Sequence, residues 1–387
     1  MDELLQQAVD SGAVPGIAAI VTTPDGPTYE GYAGALSIEG GAAVGEDTIF
    51  RIASMTKALA SVAAMRLVER GELDLDQTVE SVLPEFGELQ VLDGFDGDEP
   101  RLRAPAEPAK IRHLLNHTSG AGYAFNSKDL TRHAEAAGAV HLLTGKREAI
   151  DTPLLADPGT AWIYGVSTDW LGLVVEKLTG QTLGEYLREH VFTPLGMTDA
   201  TFRPNSEQLE RAMAIHERQA DGTLKVSDIA LPSDPDIDSG GSGLYATARD
   251  YERFLRDLLG GGELDAARIL EAETVDLMLT DHLGGIELPE LVESADKRMT
   301  NDVPALPFKQ GWGLGFHLTL EDVPGMRKSG TGDWAGLFNC FYWLDRDTGI
   351  AALLMTQVLP FFDMGVLGTL VQFEQAAYAR AGAAAPA

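Results

Sequence analysis

Residues 50–71 read FRIASMTKALASVAAMRLVERG, and they are the most informative part of the chain. Residues 53–65 are small or apolar on nearly every side and contain no proline, which predicts a buried helix rather than a surface one. The helix is expected to end at Gly71, a residue type common just beyond a helix. Ser54 and Lys57 stand three residues apart at its buried end, so their side chains are predicted to share one face.

This pairing of Ser54 and Lys57 suggests nucleophilic chemistry. Burial disfavours the charged form of lysine, and a neutral Lys57 could take the proton of the Ser54 hydroxyl. Free backbone N–H groups at the helix start would stabilise developing negative charge. The Ser-x-x-Lys spacing alone is a weak signal, since about one chance match is expected in a chain of this length. A second copy, Ser294-Ala-Asp-Lys297, lies in an acidic stretch that is typical of a solvated loop. The alternative for Ser54 is a small helix-start residue followed by a lysine that reaches solvent.

The net charge and the cysteine content limit the classes of partner. A formal net charge of −30 on 387 residues argues against nucleic acid and anionic membranes. No segment reaches the roughly 18 unbroken apolar residues of a membrane span. The N-terminal sequence MDELLQQ is acidic and amphipathic, so we expect no signal peptide and a cytoplasmic location. The single cysteine, Cys340, lies among aromatic residues and is expected to be a buried core residue.

Strand patterns occur near both ends of the chain, and helical patterns occur mostly between them. Strands are predicted at 16–23, 28–33, 313–320, 326–329, 337–344 and 350–357, helices at 2–12, 129–144, 167–190, 247–259 and 361–381, and exposed loops at 93–108 and 281–308. This order predicts an α/β protein of the α+β kind, with an antiparallel sheet built from both termini, flanking helices and a mostly helical region. We assign residues 1–75 and 300–387 to the sheet region and residues 76–299 to the mostly helical region, with the active site at their interface.

Other enzyme classes are not supported by the sequence. The strands do not alternate with helices in the βαβ manner, and residues 330–336 resemble a phosphate loop only loosely. The chain has no Gly-x-Ser-x-Gly elbow and no His-Glu-x-x-His or paired-cysteine spacing. We therefore expect neither a metal site nor a cofactor. His117, in the turn Asn116–Gly120, is interpreted as a structural residue rather than a general base.

Two more stretches are suited to a functional site. Tyr164 lies at a predicted loop-to-helix junction, and Trp334 lies in a glycine-rich stretch that would let the backbone approach a ligand closely. Taken singly, Tyr164 could be a core aromatic residue, and Trp334 could pack on a sheet.

Taken together with Ser54 and Lys57, these stretches carry a family resemblance. The sequence resembles the serine β-lactamase and penicillin-binding protein superfamily, whose hallmarks are Ser-x-x-Lys, a tyrosine motif and a Lys-Thr-Gly-type strand. Within that superfamily it is more similar to class C β-lactamase-like esterases, the family VIII carboxylesterases. The resemblance covers most of the chain and includes residues 50–57, 114–120, 194–197, 240–250, 334–336, 341–345 and 355–357.

The resemblance implies a β-lactamase-like fold and a serine carboxylesterase acting on a small-molecule ester. Ser54 would be the nucleophile, Lys57 with the phenol or phenolate of Tyr164 would move the proton, and the backbone N–H groups of Ser54 and Leu337 would form the oxyanion hole. Trp334 occupies the place of the Trp-Gly-Gly motif of the esterases, which leaves Lys328 without a defined role. Trp334, Gly336, Val166 and Tyr123 are expected to bind substrate.

One departure from the β-lactamase pattern bears on the substrate. Val166 stands where the Tyr-x-Asn motif of β-lactamases has its asparagine, so an amide side chain that could hold a β-lactam is missing. The main alternative is a β-lactamase or D-amino-acid peptidase with the same machinery. An acyltransferase that passes the acyl group to an alcohol, and a non-catalytic binding protein of the same fold, are further alternatives. The sequence leaves the oligomeric state open.

Overall fold

The computed structural model of the protein describes residues 1–384. Its α-helices are α1 (Asp2–Asp10), α2 (Thr56–Glu69), α3 (Ile111–Leu115), α4 (Lys128–Ala137), α5 (Ser167–Thr179), α6 (Leu183–Leu187), α7 (Thr193–Leu195), α8 (Ser206–Glu210), α9 (Ala248–Leu259), α10 (Ala272–Met278) and α11 (Met364–Ala384). Short 3₁₀ turns cover Ala53–Met55, Val79–Ser81, Pro84–Glu88, Ala124–Asn126, Leu142–Thr144 and Arg147–Ile150, and a π-helical turn covers Arg188–Phe192.

The strands are β1 (Gly16–Thr23), β2 (Gly26–Gly34), β3 (Ile49–Arg51), β4 (Val91–Asp96), β5 (Glu99–Arg103), β6 (His216–Arg218), β7 (Leu224–Val226), β8 (Tyr245–Thr247), β9 (Glu263–Leu264), β10 (Ala267–Arg268), β11 (Leu291–Val292), β12 (Val303–Pro304), β13 (Gln310–Trp312), β14 (His317–Thr319), β15 (Gly332–Gly336), β16 (Cys340–Asp345), β17 (Ile350–Met355) and β18 (Val358–Leu359).

One antiparallel sheet joins the two ends of the chain, as the sequence predicts. Its seven strands run in the order β13-β14-β15-β16-β17-β1-β2. The N-terminal strand β1 pairs with the C-terminal strand β17, with Ala18 opposite Met355 and Ile20 opposite Leu353. Successive residues of a strand point to opposite faces, so both faces of this central pair must be covered.

The two faces of the sheet contribute to separate apolar cores. From β1, Ala18 and Ile20 face the core that contains α2, α5 and α9, whereas Ile17, Ala19 and Val21 face the core formed with α1 and α11. Strand β1 is buried along nearly its whole length for this reason, and its sequence GIAAIVTT lacks the polar alternation of a half-exposed strand.

Helix α2 is buried on all sides, which confirms the prediction made from residues 53–65. Every residue from Thr56 to Met65 is buried, including Lys57 and Ser61. Helix α5 packs against α2, and α9 packs against β1 and β17. Helix α9 therefore belongs with the sheet although it lies inside the region 76–299. The division into two regions stays a prediction.

Several predicted element boundaries are wrong, and glycine conformation explains most of them. Residues 93–108 were expected to be a loop, but β4 and β5 form a hairpin around Gly97, which has φ +61°. The helix predicted over 129–144 ends at Gly138, and the one predicted over 167–190 is interrupted at Gly180, both in the left-handed region. The strand predicted at 326–329 is absent from the described structure, and residues 337–339 form the turn between β15 and β16.

No helix among residues 1–384 is both long enough and apolar enough to cross a membrane.

Gly336, at the end of β15, determines how closely the sheet approaches the start of α2. A Cβ atom at this position would lie 2.3 Å from the carbonyl oxygen of Ile52, which is backbone and cannot turn aside. We expect Gly336→Ala to lower the free energy of unfolding by about 1–3 kcal/mol, because the backbone must separate to relieve the overlap. Thermal and urea denaturation followed by circular dichroism measure the change.

Gly368→Ala is the matched control for this substitution. Gly368 lies inside α11, and a Cβ atom there would meet nothing within 4 Å. Alanine is the better helix former, so this variant should be as stable as the wild type or more stable by up to about 1 kcal/mol. Equal stability of Gly336→Ala and the wild type would contradict the close approach of β15 and Ile52.

Candidate active site

Ser54 lies in a 3₁₀ turn that leads directly into α2, on the wall of a cavity. The preceding strand β3 is held by pairing with β8, with Phe50 opposite Ala246. Ala53 then adopts φ +44°, a left-handed conformation that is costly for a residue with a side chain, although it is buried. Strain of this kind costs on the order of 1–3 kcal/mol and concentrates at functional sites. Ser54 follows this residue directly and is part of the cavity lining.

The amine of Lys57 is held by three oxygen atoms. Its Nζ lies 2.7 Å from the backbone oxygen of Gly241, 2.8 Å from the hydroxyl of Tyr123 and 3.2 Å from Oγ of Ser54. The residue is only 1% exposed. Burial lowers the pKa of Lys57 from 10.5 to about 7, and the nearby Asp169 opposes that shift. Close to neutral pH, Lys57 can therefore exchange a proton with Ser54.

Tyr164 approaches the same point from the segment before α5. Its hydroxyl oxygen accepts a hydrogen bond from Nε1 of Trp334 at 2.9 Å, and Nζ of Lys57 lies 4.8 Å from the centre of its ring. Burial raises the pKa of Tyr164, while hydrogen bonds with Ser54 and Trp334 partly offset the shift. The raised pKa favours the neutral phenol of Tyr164 near pH 7.

Tyr123 is more closely tied to Lys57 than the sequence indicates. Its side chain is 3% exposed, its hydroxyl contacts Lys57, and its ring lies edge-on to Tyr164 with 5.3 Å between the ring centres. Burial raises the pKa of Tyr123 well above its ordinary value, so this residue is also a neutral phenol. It lines the cavity, but its hydroxyl belongs to the group of atoms around Lys57.

Asp169 and the glycine-rich turn before β8 complete the surroundings of Lys57, and sequence reasoning assigned them no role. Asp169 is 2% exposed, and its Oδ1 accepts hydrogen bonds from Ser239 Oγ and, at 3.1 Å, from the backbone N–H of Gly241. Burial raises the pKa of Asp169, and the positive charge of Lys57 counteracts the rise. A Cβ atom at Gly241 would lie 2.2 Å from Oδ2 of Asp169. The run Gly240-Gly-Ser-Gly243 was the available signal, because such close packing requires glycine.

The cavity beside Ser54 encloses about 320 Å³ and is lined mainly by apolar side chains. They come from segments far apart in the sequence, and examples are Phe125, Leu142, Ile150, Trp162, Leu288 and Val292. The cationic residues Arg51, Lys146 and Arg327 also belong to the lining, and Arg327 is paired with Asp333 and Glu374. Arg51 donates a hydrogen bond to the backbone oxygen of Met213 at 2.7 Å, whereas Lys146 is exposed.

Trp334, which is predicted to bind substrate, and Leu337, which is predicted to form part of the oxyanion hole, both line the cavity. Val166 and Gly336 are not among the described residues that line this cavity, so their contact with substrate stays a prediction. Val166 is 2% exposed and packs in the core at the start of α5, and Gly336 provides the close approach to Ile52.

Lys328 lies away from the cavity lining. Its Nζ contacts Asp322 at 2.6 Å, and its side chain is 46% exposed. This position agrees with the choice of Trp334 rather than Lys328 as the residue of the third motif that faces the site.

His117 is a buried residue in the turn after α3, and its ring packs among aromatic side chains. It adopts φ +57°, and its ring lies 5.0 Å from those of Tyr164 and Trp312. Burial lowers its pKa well below 6.5, and the charge of Lys57 acts in the same direction. His117 therefore stays neutral. Within residues 1–384, no group of three or more His, Cys, Asp or Glu residues is arranged to hold a metal ion.

Comparison with known proteins identifies relatives over nearly the whole chain. The family model described as Beta-lactamase matches residues 1–376. Monacolin J acid methylbutanoyltransferase of Aspergillus terreus is 34% identical over 356 residues, which cover 86% of this chain and 83% of that protein. Lovastatin esterase of Penicillium rubens is 32% identical, with 96% of each chain covered.

Solved structures confirm the predicted fold. The LovD6 mutant of simvastatin synthase from Aspergillus terreus superposes with a TM-score of 0.86 at 30% identity, covering 98% of this chain and 96% of that one. EstCE1, described as a hydrolase with promiscuous acyltransferase activity, gives a TM-score of 0.77 at 24% identity, with 97% of both chains covered, and its likeness is one of fold.

The state of Lys57 predicts how the reactivity of Ser54 depends on pH. Because the pKa of Lys57 is lowered to about 7, the neutral amine that can accept the Ser54 proton forms as the pH rises through that value. We expect the rate of Ser54 modification by a fluorophosphonate to rise about tenfold per pH unit below pH 7 and to level off above it. Intact-protein mass spectrometry over pH 5–9 measures that rate.

Two variants test this assignment. Lys57→Met should label slowly and without the rise around pH 7. Ser294→Ala, which removes the serine of the second Ser-x-x-Lys sequence, should label like the wild type, since Ser294 lies outside the cavity lining. A flat pH profile in the wild type would exclude Lys57 as the base.

Proposed function

Since the chain belongs to the Beta-lactamase family, we propose that it transfers acyl groups from small carboxylic esters through an acyl-enzyme on Ser54. The observation that carries the proposal is the buried Lys57 amine, 3.2 Å from Ser54 Oγ, facing an apolar cavity. A serine hydroxyl becomes a nucleophile when a base of suitable pKa lies within hydrogen-bond reach. Relatives that are 32–34% identical are named an esterase and an acyltransferase, which supports ester chemistry.

In the proposed acylation step, Lys57 and Tyr164 move the protons. Lys57 accepts the proton of Ser54 while Oγ forms a bond to the ester carbonyl carbon. The bond from that carbon to the alcohol oxygen then breaks, and Tyr164 donates its proton to the departing oxygen. The protonated Lys57 returns a proton to the phenolate, which restores both groups.

Deacylation uses the same residues in the opposite order. Water or an alcohol attacks the acyl-enzyme, and its proton passes to the Lys57–Tyr164 pair while Ser54 recovers a proton. With water the protein is an esterase, and with an alcohol it is an acyltransferase. The backbone N–H groups of Ser54 and Leu337 would stabilise the oxyanion in both halves, and such a donor is typically worth about 3 kcal/mol in the barrier.

The substrate proposed for this site has an apolar acyl group. Aromatic and aliphatic side chains form most of the lining, and burying apolar surface contributes roughly 25 cal/mol per Å² to binding. The transferase relative is named for a methylbutanoyl group, and a short or branched acyl chain suits a cavity of about 320 Å³.

The first test of the function compares wild type and Ser54→Ala on 4-nitrophenyl butanoate and on a chromogenic cephalosporin. We expect ester turnover that falls by roughly 10³-fold or more in Ser54→Ala, because the covalent route is lost. Cephalosporin opening should be slow or absent in the wild type. Nitrophenolate release and cephalosporin absorbance measure the two reactions.

Two outcomes would contradict this proposal. Ester turnover that survives in Ser54→Ala would reject the nucleophile. A cephalosporin turned over faster than the ester would favour the β-lactamase alternative.

A second test separates hydrolysis from acyl transfer. With 4-nitrophenyl butanoate as donor and benzyl alcohol as acceptor, we expect benzyl butanoate to form beside butanoic acid, because an apolar cavity favours an apolar acceptor over water. Gas chromatography quantifies both products as the alcohol concentration is raised, with Ser54→Ala as the control for uncatalysed transfer. Butanoic acid as the sole product at every alcohol concentration would restrict the function to hydrolysis.

A further inference from the structure

The hydrogen bond between Trp334 and Tyr164 has a defined direction. An indole Nε1–H can only donate, so at 2.9 Å the phenol oxygen of Tyr164 must be the acceptor. The two rings meet nearly edge to face, with 5.0 Å between their centres. The hydroxyl proton of Tyr164 therefore cannot point towards Trp334 and must be directed elsewhere.

The catalytic groups lie close to the Tyr164 ring. Nζ of Lys57 is 4.8 Å from the centre of that ring and 3.2 Å from Oγ of Ser54. The leaving oxygen of an ester attacked by Ser54 is attached to the same carbon as Oγ. A Tyr164 proton that is not directed at Trp334 is free to be donated to the departing alcohol, on which negative charge develops beside Ser54.

Resting on the function proposed above, we infer that Trp334 is a positioning residue that orients the Tyr164 hydroxyl so that its proton is delivered to the leaving alcohol. Trp334 acts through Tyr164 and carries no proton of the reaction itself. Because the indole is neutral at every accessible pH, this orientation does not depend on titration of residue 334.

The surroundings of Trp334 hold its indole in place. Strand β15 positions it opposite Tyr342 of β16, and the Trp312 ring packs against it with 4.6 Å between ring centres. Trp312 is itself held by a hydrogen bond from its Nε1 to the backbone oxygen of Leu115 at 3.2 Å. The ring of His317 lies 6.1 Å from that of Trp334 and 6.2 Å from that of Trp312.

The titratable groups near Tyr164 come from five elements or turns. They are Lys57 of α2, His117 of the turn after α3, Tyr123 of the following loop, Asp169 of α5 and Tyr342 of β16. Burial keeps His117 and the two tyrosines neutral near pH 7, so Lys57 and Asp169 set the local charge. Substitution of the neutral Trp334 should leave the pH dependence set by Lys57 in place.

The test compares two esters of the same acid that differ in their leaving group. Ethyl butanoate releases a strongly basic alkoxide that needs a proton, whereas 4-nitrophenyl butanoate releases a stable anion that does not. In Trp334→Phe, kcat/KM for the ethyl ester should fall at least about tenfold more than kcat/KM for the nitrophenyl ester, as expected when general-acid assistance is impaired. Trp334→His, which restores an N–H donor, should recover part of the difference.

The matched control is Trp162→Phe. Trp162 lines the same cavity, stacks on Tyr164 with 6.0 Å between ring centres, and has no hydrogen-bond partner for its Nε1 among the described residues. Removing its indole N–H changes the volume of the site without removing a bond to Tyr164. Trp162→Phe should therefore change kcat/KM by the same factor for both esters.

Each outcome of the experiment decides one question. Equal loss on both esters in Trp334→Phe would overturn the orienting role. Circular dichroism shows whether Trp334→Phe folds. If it does not, 3-benzothienylalanine at position 334 replaces it, because that side chain keeps the shape of the indole but has no N–H. An equal loss on both esters in that variant would likewise overturn the orienting role. A wild-type protein inactive on both esters would instead reject the proposed function, and the inference with it.

Discussion

Helix α2 carries the amine of Lys57 into a region from which water is nearly excluded, and the rest of the site compensates for that burial. A charged lysine without partners would be costly there, so either its pKa falls or opposing charges approach. Both occur, because the pKa is lowered to about 7 while Asp169 limits the fall. The carbonyl of Gly241 and the hydroxyl of Tyr123 satisfy the N–H groups that do not face Ser54. Because its pKa is about 7, the Lys57 amine can exchange a proton with Ser54 near neutral pH.

The reactive geometry also depends on contacts between segments far apart in the chain. Ser54 follows Ala53, which is held in a left-handed conformation, and β15 can lie against this turn because Gly336 has no side chain. The strand β15 brings Trp334 to Tyr164, and the pairing of β1 with β17 joins the N-terminal and C-terminal parts of the sheet. Stability of the sheet and placement of the nucleophile are therefore coupled at Gly336.

The sequence predicted those parts of the fold and site that depend on local spacing. The three-residue interval between Ser54 and Lys57 and the apolar run after them determine a buried helix with both groups at one end. Strand patterns near the two termini predicted one antiparallel sheet, which the structure confirms. By contrast, the partners of Lys57 come from Tyr123, Asp169 and Gly241, and no periodicity in the sequence indicates that these meet. The same limit applies to Val166, which packs in the core, because a motif position does not reveal whether its side chain faces the cavity or the core.

Residue 334 is a neutral tryptophan rather than a cation, and this difference affects which substrate charge the site can accept. A cation in this place would both orient Tyr164 and attract a carboxylate, whereas the indole of Trp334 performs the first task without adding charge. Lys328 is directed to the surface by Asp322, and the nearby Arg327 is paired with Asp333 and Glu374. Strand β15 and the segment before it therefore present no uncompensated positive charge to the site. The neutral N–H donor of Trp334, next to an apolar cavity, suits an uncharged acyl group. It orients the proton of Tyr164 without also binding a negatively charged substrate.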